Sequence, residues 1–237
     1  MSRLTLARSA GFCYGVRRAV TMAEEAAQSG RPCVMLGHII HNGSVIEQLE
    51  KAGVQVVHSV EEVPTGAAVI IRSHGEGRAV YERLQERGAE IIDTTCPNVS
   101  HIHRLVSQAE EEGRIPVIIG TPTHPEVEAI AGWCRNPVVL SGPDALENWL
   151  REHPELRTQP ITMVSQTTST QKKWNLCVEK AKKECTNLKI FDTICNATCK
   201  RQSEAQELAA QNDAMIVIGG RDSSNTRRLT ELCAALC

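Results

Sequence analysis

The sequence predicts an α/β fold: a trefoil of three pseudo-threefold-related α/β units with parallel sheets around a central site, the third unit incomplete. Three observations predict it. A strand–cysteine–helix pattern occurs three times, at Cys13, Cys96 and Cys195. Each cysteine is followed 24 residues later by a glycine (13 to 37, 96 to 120, 195 to 219) that ends an apolar run. Short apolar runs alternate with segments of helical period along most of the chain, and that alternation marks βαβ units and parallel sheets.

The elements follow in order. Leu4-Thr-Leu-Ala7 reads as a strand that would close unit three, so that residues 1–13 belong with the far end of the chain. Unit one, residues 14–96, starts with a helix after Cys13. It continues with the strand Cys33-Val-Met-Leu36, a polar loop holding His41, and a helix through Val45, Ile46 and Leu49. The strand Ala67–Ile71 ends in the turn Arg72-Ser-His74-Gly75, a charged helix spans about Arg78–Arg87, and Glu90-Ile-Ile leads into Asp93-Thr-Thr-Cys96. Unit two, residues 97–195, repeats this with Pro116–Ile119, His124, the helical Val127–Ile130, Pro160–Val164, Thr167, the helix Gln171–Lys183, and Leu188–Phe191 before Asp192-Thr-Ile-Cys195. Residues 196–237 give a helix, the strand Met215–Ile218, Ser223 and a last helical pattern through Leu229 and Leu232. Cys195 and Cys237 are 42 residues apart, whereas the first two repeats measure 83 (96 minus 13) and 99 (195 minus 96), so some 40 to 60 residues of a third repeat are expected to be absent.

Composition excludes several classes. The chain has 237 residues and a net charge of −2, with 3% aromatic residues. A nucleic-acid partner usually calls for a basic face or stacking aromatics. No apolar run nears the ~18 residues of a membrane span. The N-terminus lacks the apolar stretch of a signal peptide. These features lead to the expectation of a cytoplasmic protein with neither nucleic-acid nor membrane partners. Ten cysteines are then buried, metal-binding or catalytic rather than a disulfide scaffold.

The repeat selects three of the ten. Threefold-related cysteines meet on one axis, and an odd number suits metal ligation better than disulfides. Each sits at a predicted helix N-terminus, where amides and the dipole favour thiolate. Structural zinc prefers four ligands in close pairs. A [4Fe–4S] cluster usually takes four cysteines, and with three one iron keeps an open, Lewis-acidic position. Three buried structural cysteines are the bland alternative. Cys33 reads as core, and Cys199 is rejected because Arg17 and Ser100 stand at its repeat equivalents.

Twenty-eight residues past the three cysteines lie His41, His124 and Ser223. With His74, Thr167, Ser224 and Asn225 they occupy loops after predicted strands, where α/β proteins bind ligands. Imidazoles, hydroxyls and an amide beside helix N-termini suit a phosphate or diphosphate. Glu126, two residues past His124, would be a proton donor if burial raised its pKa; Glu128 reads as a first-turn helix carboxylate. His38, His58, His101, His103 and His153 have no repeat partner and read as surface or capping residues.

These motifs together resemble the 4-hydroxy-3-methylbut-2-enyl diphosphate reductase family, the terminal enzymes of the methylerythritol phosphate route to isoprenoids. The resemblance rests on Gly11-Phe-Cys-Tyr-Gly-Val16, His41-Asn42, Ser73-His-Gly75, Asp93-Thr-Thr-Cys-Pro97, His124-Pro-Glu-Val-Glu128, Ser165-Gln-Thr-Thr168, Ile194-Cys-Asn-Ala-Thr198 and Ser223-Ser-Asn225, in that order from residue 4 onward. It implies a [4Fe–4S] cluster on Cys13, Cys96 and Cys195, with the substrate's allylic hydroxyl at the fourth iron. It implies that His41, His74, His124, Thr167, Ser223, Ser224 and Asn225 hold the diphosphate or position the substrate, and that Glu126 supplies protons through Thr167. A ferredoxin or flavodoxin would bring two electrons, and the products would be isopentenyl and dimethylallyl diphosphate. The family continues with an Ala-Ser-x-Pro segment, whose serine also binds the diphosphate, and this sequence ends before it. That departure implies a fragment, with apolar surface left exposed and reduced stability. The rival readings are a non-catalytic zinc module and a phosphate-binding α/β protein with incidental cysteines.

Overall fold

The computed structural model describes residues 4–237. Its order is α1 (Tyr14–Gln28), β1 (Cys33–Leu36), α2 (Gly43–Lys51), β2 (Gln55–Val57), β3 (Ala68–Ile71), α3 (Arg78–Glu86), β4 (Glu90–Asp93), α4 (Pro97–Glu111), β5 (Ile115–Ile119), α5 (Pro125–Ala131), β6 (Val138–Leu140), α6 (Pro143–Glu152), β7 (Ile161–Ser165), α7 (Gln171–Glu184), β8 (Leu188–Ile190), α8 (Asn196–Ala209) and α9 (Ser224–Ala234). The strands make two all-parallel sheets of the same order, β2-β1-β3-β4 and β6-β5-β7-β8.

The central strands are buried almost throughout and mostly apolar, with Thr162 and Ser165 of β7 the polar exceptions, because both of their faces are covered. In the first sheet Met35 and Ile70 point toward α1 and α2, joining Ala19, Ala23 and Leu49 in one core. Their neighbours Val34, Leu36, Val69 and Ile71 point the other way, onto Leu84 of α3. The second sheet repeats the alternation. Val117, Ile119 and Met163 pack on Leu146, Leu150 and Trp174, while Ile118 and Val164 pack on Ile102, Val106, Val127 and Ile130. Period-two alternation along each strand thus builds two helix layers per sheet. Pairing is in register across the first sheet: Val34 lies opposite Val69, and Ile70 opposite Ile92.

Three short elements lack a clear sequence signal. β2 and β6 have three residues each, too few to show a period, and α6 buries only Leu146 and Leu150.

Two expected strands do not form. Leu4–Ala7 and Met215–Ile218 are without ladder hydrogen bonds, and Leu4, Leu6, Ile216 and Ile218 are 82–91% exposed. A strand exists only through a neighbour's amides and carbonyls, and neither segment has such a neighbour among the described residues. The expected N-terminal strand therefore leads instead into a segment tied to α8. Glu204 accepts from the Arg8 and Ser9 amides, and Arg201 donates to the Ser9 and Gly11 carbonyls. Unit three is thus represented by α8 packed on α9, with Cys233 buried. No helix among the described residues is long and apolar enough to cross a membrane.

Candidate functional site

Each of the three repeat cysteines is a helix N-cap: Cys13 for α1, Cys96 for α4 and Cys195 for α8. All three are partly exposed free thiols. They converge closely enough that Cys13 and Cys195 both act electrostatically on Cys96. Gly15 marks the closeness of approach, since a Cβ there would stand 2.6 Å from Cys96 Sγ. Burial pushes the Cys96 thiol up, although the Asn98 and Val99 amides pull it down. The helix-end amides favour the thiolate as expected, but at Cys96 desolvation outweighs them, and a bound cation is what would reverse the balance. Among the described residues no three His, Cys, Asp or Glu side chains are gathered tightly enough for a single metal ion.

The histidines gather as well. The ring centroids of His41 and His74 lie 4.6 Å apart, those of His74 and His124 5.6 Å, and those of His41 and His124 6.0 Å. His41 precedes α2, His74 follows β3, and His124 caps α5, so all three sit at the carboxyl ends of parallel strands. His124 Nδ1 accepts the Glu126 amide at 3.1 Å. In the neutral ring this leaves the proton on Nε2. That nitrogen, together with His41 Nε2 and His74 Nδ1, is buried without a hydrogen-bond partner. Burial lowers all three pKa values, His124 to about 4 and His74 well below the usual range. Three buried unpartnered nitrogens on rings this close together are costly unless a ligand completes them.

Glu126 is 3% exposed. Its Oε1 accepts the Thr167 amide at 2.7 Å, and its Oε2 lies 2.7 Å from Thr167 Oγ1. Desolvation raises its pKa and outweighs the two Thr167 bonds. Ser223 is the N-cap of α9, its hydroxyl accepting the Thr226 amide at 3.3 Å, with Ser224 and Asn225 in the first turn. The loop before it packs directly on the His41 backbone at Gly220.

The repeat could not reveal two nearby cations. Arg72 and Arg227 both act on His41 and His124, but Arg227 has no repeat counterpart. His103 corrects the surface-or-capping reading: it is 4% exposed, and burial lowers its pKa to about 4. Its signal was available, since it lies one residue past Ile102 on the same α4 face as Val99 and Val106. His38, His58, His101 and His153 are exposed.

Fold and site define a pseudo-threefold α/β protein whose strand ends and helix N-termini gather three thiols, three imidazoles and a buried carboxyl group. A family model described as "LytB protein" matches residues 4–237, and the chain belongs to that family. It is 39% identical over 239 residues to the 4-hydroxy-3-methylbut-2-enyl diphosphate reductase of Caldanaerobacter subterraneus subsp. tengcongensis, covering 99% of this chain and 81% of the relative. Two solved structures are similar. One is the E-1-hydroxy-2-methyl-but-2-enyl-4-diphosphate reductase from Plasmodium falciparum, with TM-score 0.88 and 27% identity over 95% of this chain and 71% of that one. The other is an (E)-4-hydroxy-3-methyl-but-2-enyl diphosphate reductase described as the terminal enzyme of the non-mevalonate pathway. Its TM-score is 0.75, with 37% identity over 97% of this chain and 81% of that one.

Proposed function

We propose that the chain carries the reductive dehydroxylation of (E)-4-hydroxy-3-methylbut-2-enyl diphosphate to isopentenyl and dimethylallyl diphosphate. The observation that carries this reading is the buried Glu126–Thr167 pair beside three imidazoles that each keep one buried nitrogen without a partner. The reaction breaks the allylic C–O bond with two electrons and two protons. One proton leaves with the oxygen as water and one goes to carbon.

The residues present fit a [4Fe–4S] group: three half-exposed thiols at three helix N-termini, with room left by Gly15. Cys13, Cys96 and Cys195 would hold it, and when bound it would supply electrons singly and an open Lewis-acid position. The electrons would come from a small external carrier of the ferredoxin or flavodoxin kind. His41, His74 and His124 bind the diphosphate through their free ring nitrogens, and the Ser223–Asn225 turn adds hydroxyl, amide and helix-end donors. Arg227 adds positive charge without requiring charged histidines, while Arg72 is paired with Glu76 at 2.7 Å. Glu126, whose dry surroundings favour its protonated form, passes a proton to Thr167 Oγ1 while that hydroxyl gives its own toward the bound ligand.

The test is anaerobic turnover of the allylic diphosphate by reconstituted protein with a chemical reductant. The expected result is formation of both five-carbon diphosphates, with a rate loss of about 10²- to 10⁴-fold in Glu126→Gln. Reconstituted protein that yields neither product would refute the reading.

A further inference from the structure

We infer that His103 is a positioning residue that sets His74 of the first sheet against His124 of the second. The inference rests on the diphosphate-site reading above and deepens it. His103 lies on α4, outside the imidazole group, but its ring edge faces the turn that carries His74. A Cβ on Gly75 would stand 2.6 Å from His103 Cε1 and 3.3 Å from its Nε2, and 3.1 Å from Thr95 Cγ2. Gly75 has φ +76°, so the turn passes over the ring in a conformation that suits glycine. The same turn is fastened to the thiol site, because the Cys96 amide donates to the Ser73 carbonyl at 3.0 Å.

On its other face His103 stacks on Trp133, with centroids 5.0 Å apart and planes 17° from parallel. Trp133 lies just past α5, the helix that His124 caps, and its indole donates to the Glu76 carbonyl at 2.9 Å. The Arg78 amide donates to the Gly132 carbonyl at 3.1 Å, so the segment from Gly75 to Arg78 is clamped between α4 and the end of α5. His103 Nε2 is buried without a partner. A filler with no further task would be apolar, since an unsatisfied ring nitrogen is a cost. The thin edge of a five-membered ring is what lets the Gly75 backbone come this close, and a phenyl ring would push the turn outward.

The experiment measures the Kd of inorganic pyrophosphate by calorimetry, with the melting temperature in parallel, on the full chain and its variants. His41→Ala is the control for site occupancy. His103→Ala and Trp133→Leu are each expected to weaken pyrophosphate at least fivefold while still folded at the assay temperature. Gly75→Ala is expected to weaken it too, but by a smaller factor in the His103→Ala background, where the clash with the ring is gone and only the Thr95 contact and the backbone strain remain. If His103→Ala does not fold, Trp133→Leu and Gly75→Ala decide. Variants that bind pyrophosphate like the unaltered chain, with His41→Ala still defective, would overturn the inference and leave the diphosphate reading standing. An unaltered chain with no pyrophosphate affinity would sink both.

Discussion

Glu126 is the residue where burial and chemistry are most tightly joined. Its pKa is raised above the ordinary 4.5 because desolvation outweighs its Thr167 contacts. The folded state therefore holds a proton that the unfolded state releases. That preference stabilises the fold fully below pH 4.5 and is lost as pH rises through the raised value. Glu126→Gln keeps both hydrogen-bond positions without the charge. Its stability relative to the parent is expected to grow as pH is raised above 4.5, as read by urea denaturation across that range; parallel curves would contradict the account. His124 has the opposite sign. Its folded pKa of about 4 lies below the ordinary 6.5, so stability falls as pH drops from 6.5 toward 4, by at most about 3 kcal/mol. His124→Gln is expected to flatten that slope. Much of this residue-scale picture was legible, because the repeat offsets selected Cys13, Cys96, His41 and His124 without reference to coordinates. Arg72 was not, and of His103 the sequence shows only that it shares the buried face of α4 with Val99 and Val106. Their positions depend on which helix face meets which turn, and no spacing in the sequence encodes that meeting.

At the scale of elements, three helices begin at the three cysteines, and their N-termini must approach without collision. Gly15 in the first turn of α1 is the tightest point, with Cys96 Sγ 2.6 Å from where a methyl would sit. Gly15→Ala is therefore expected to displace one of the two cysteines, cutting iron retained after anaerobic reconstitution by half or more while the melt changes little. Full iron content in that variant would contradict the convergence. The sheets carry a second expectation. Ile118 is fully buried between β5 and α4, and Ile118→Ala should cost about 2–5 kcal/mol in chemical denaturation. The strands at the centres of both sheets were legible because burial on two faces leaves a continuous apolar run. Edge strands β2 and β6 were not: each has three residues and, unlike the equally short β8, leads into no repeat cysteine. Leu4–Ala7 and Met215–Ile218 read as strands for the same reason as β1, and they show the limit of the pattern. Apolar composition supplies a face to bury, but only a neighbouring strand supplies the ladder.

On the scale of the whole molecule, two completed sheets and a pair of helices surround the cysteines, with Leu4, Leu6, Ile216 and Ile218 on the outside. Exposed apolar side chains of this kind promote association. The double variant Ile216→Ser, Ile218→Ser is expected to scatter less light at high concentration with an unchanged melting temperature. The threefold plan was legible from 24-residue offsets, and the order β2-β1-β3-β4 recurs as β6-β5-β7-β8. Sequence spacing could not foretell how closely the thiols approach, since that depends on the tilt of three helices from three parts of the chain. The account stands on those thiols acting as one ligand set, and iron and acid-labile sulfide counted per chain after anaerobic reconstitution measure it most directly. About four of each, lost together in Cys96→Ser, is the predicted result. A single bound metal ion per chain, or iron retained in full by Cys96→Ser, would contradict it.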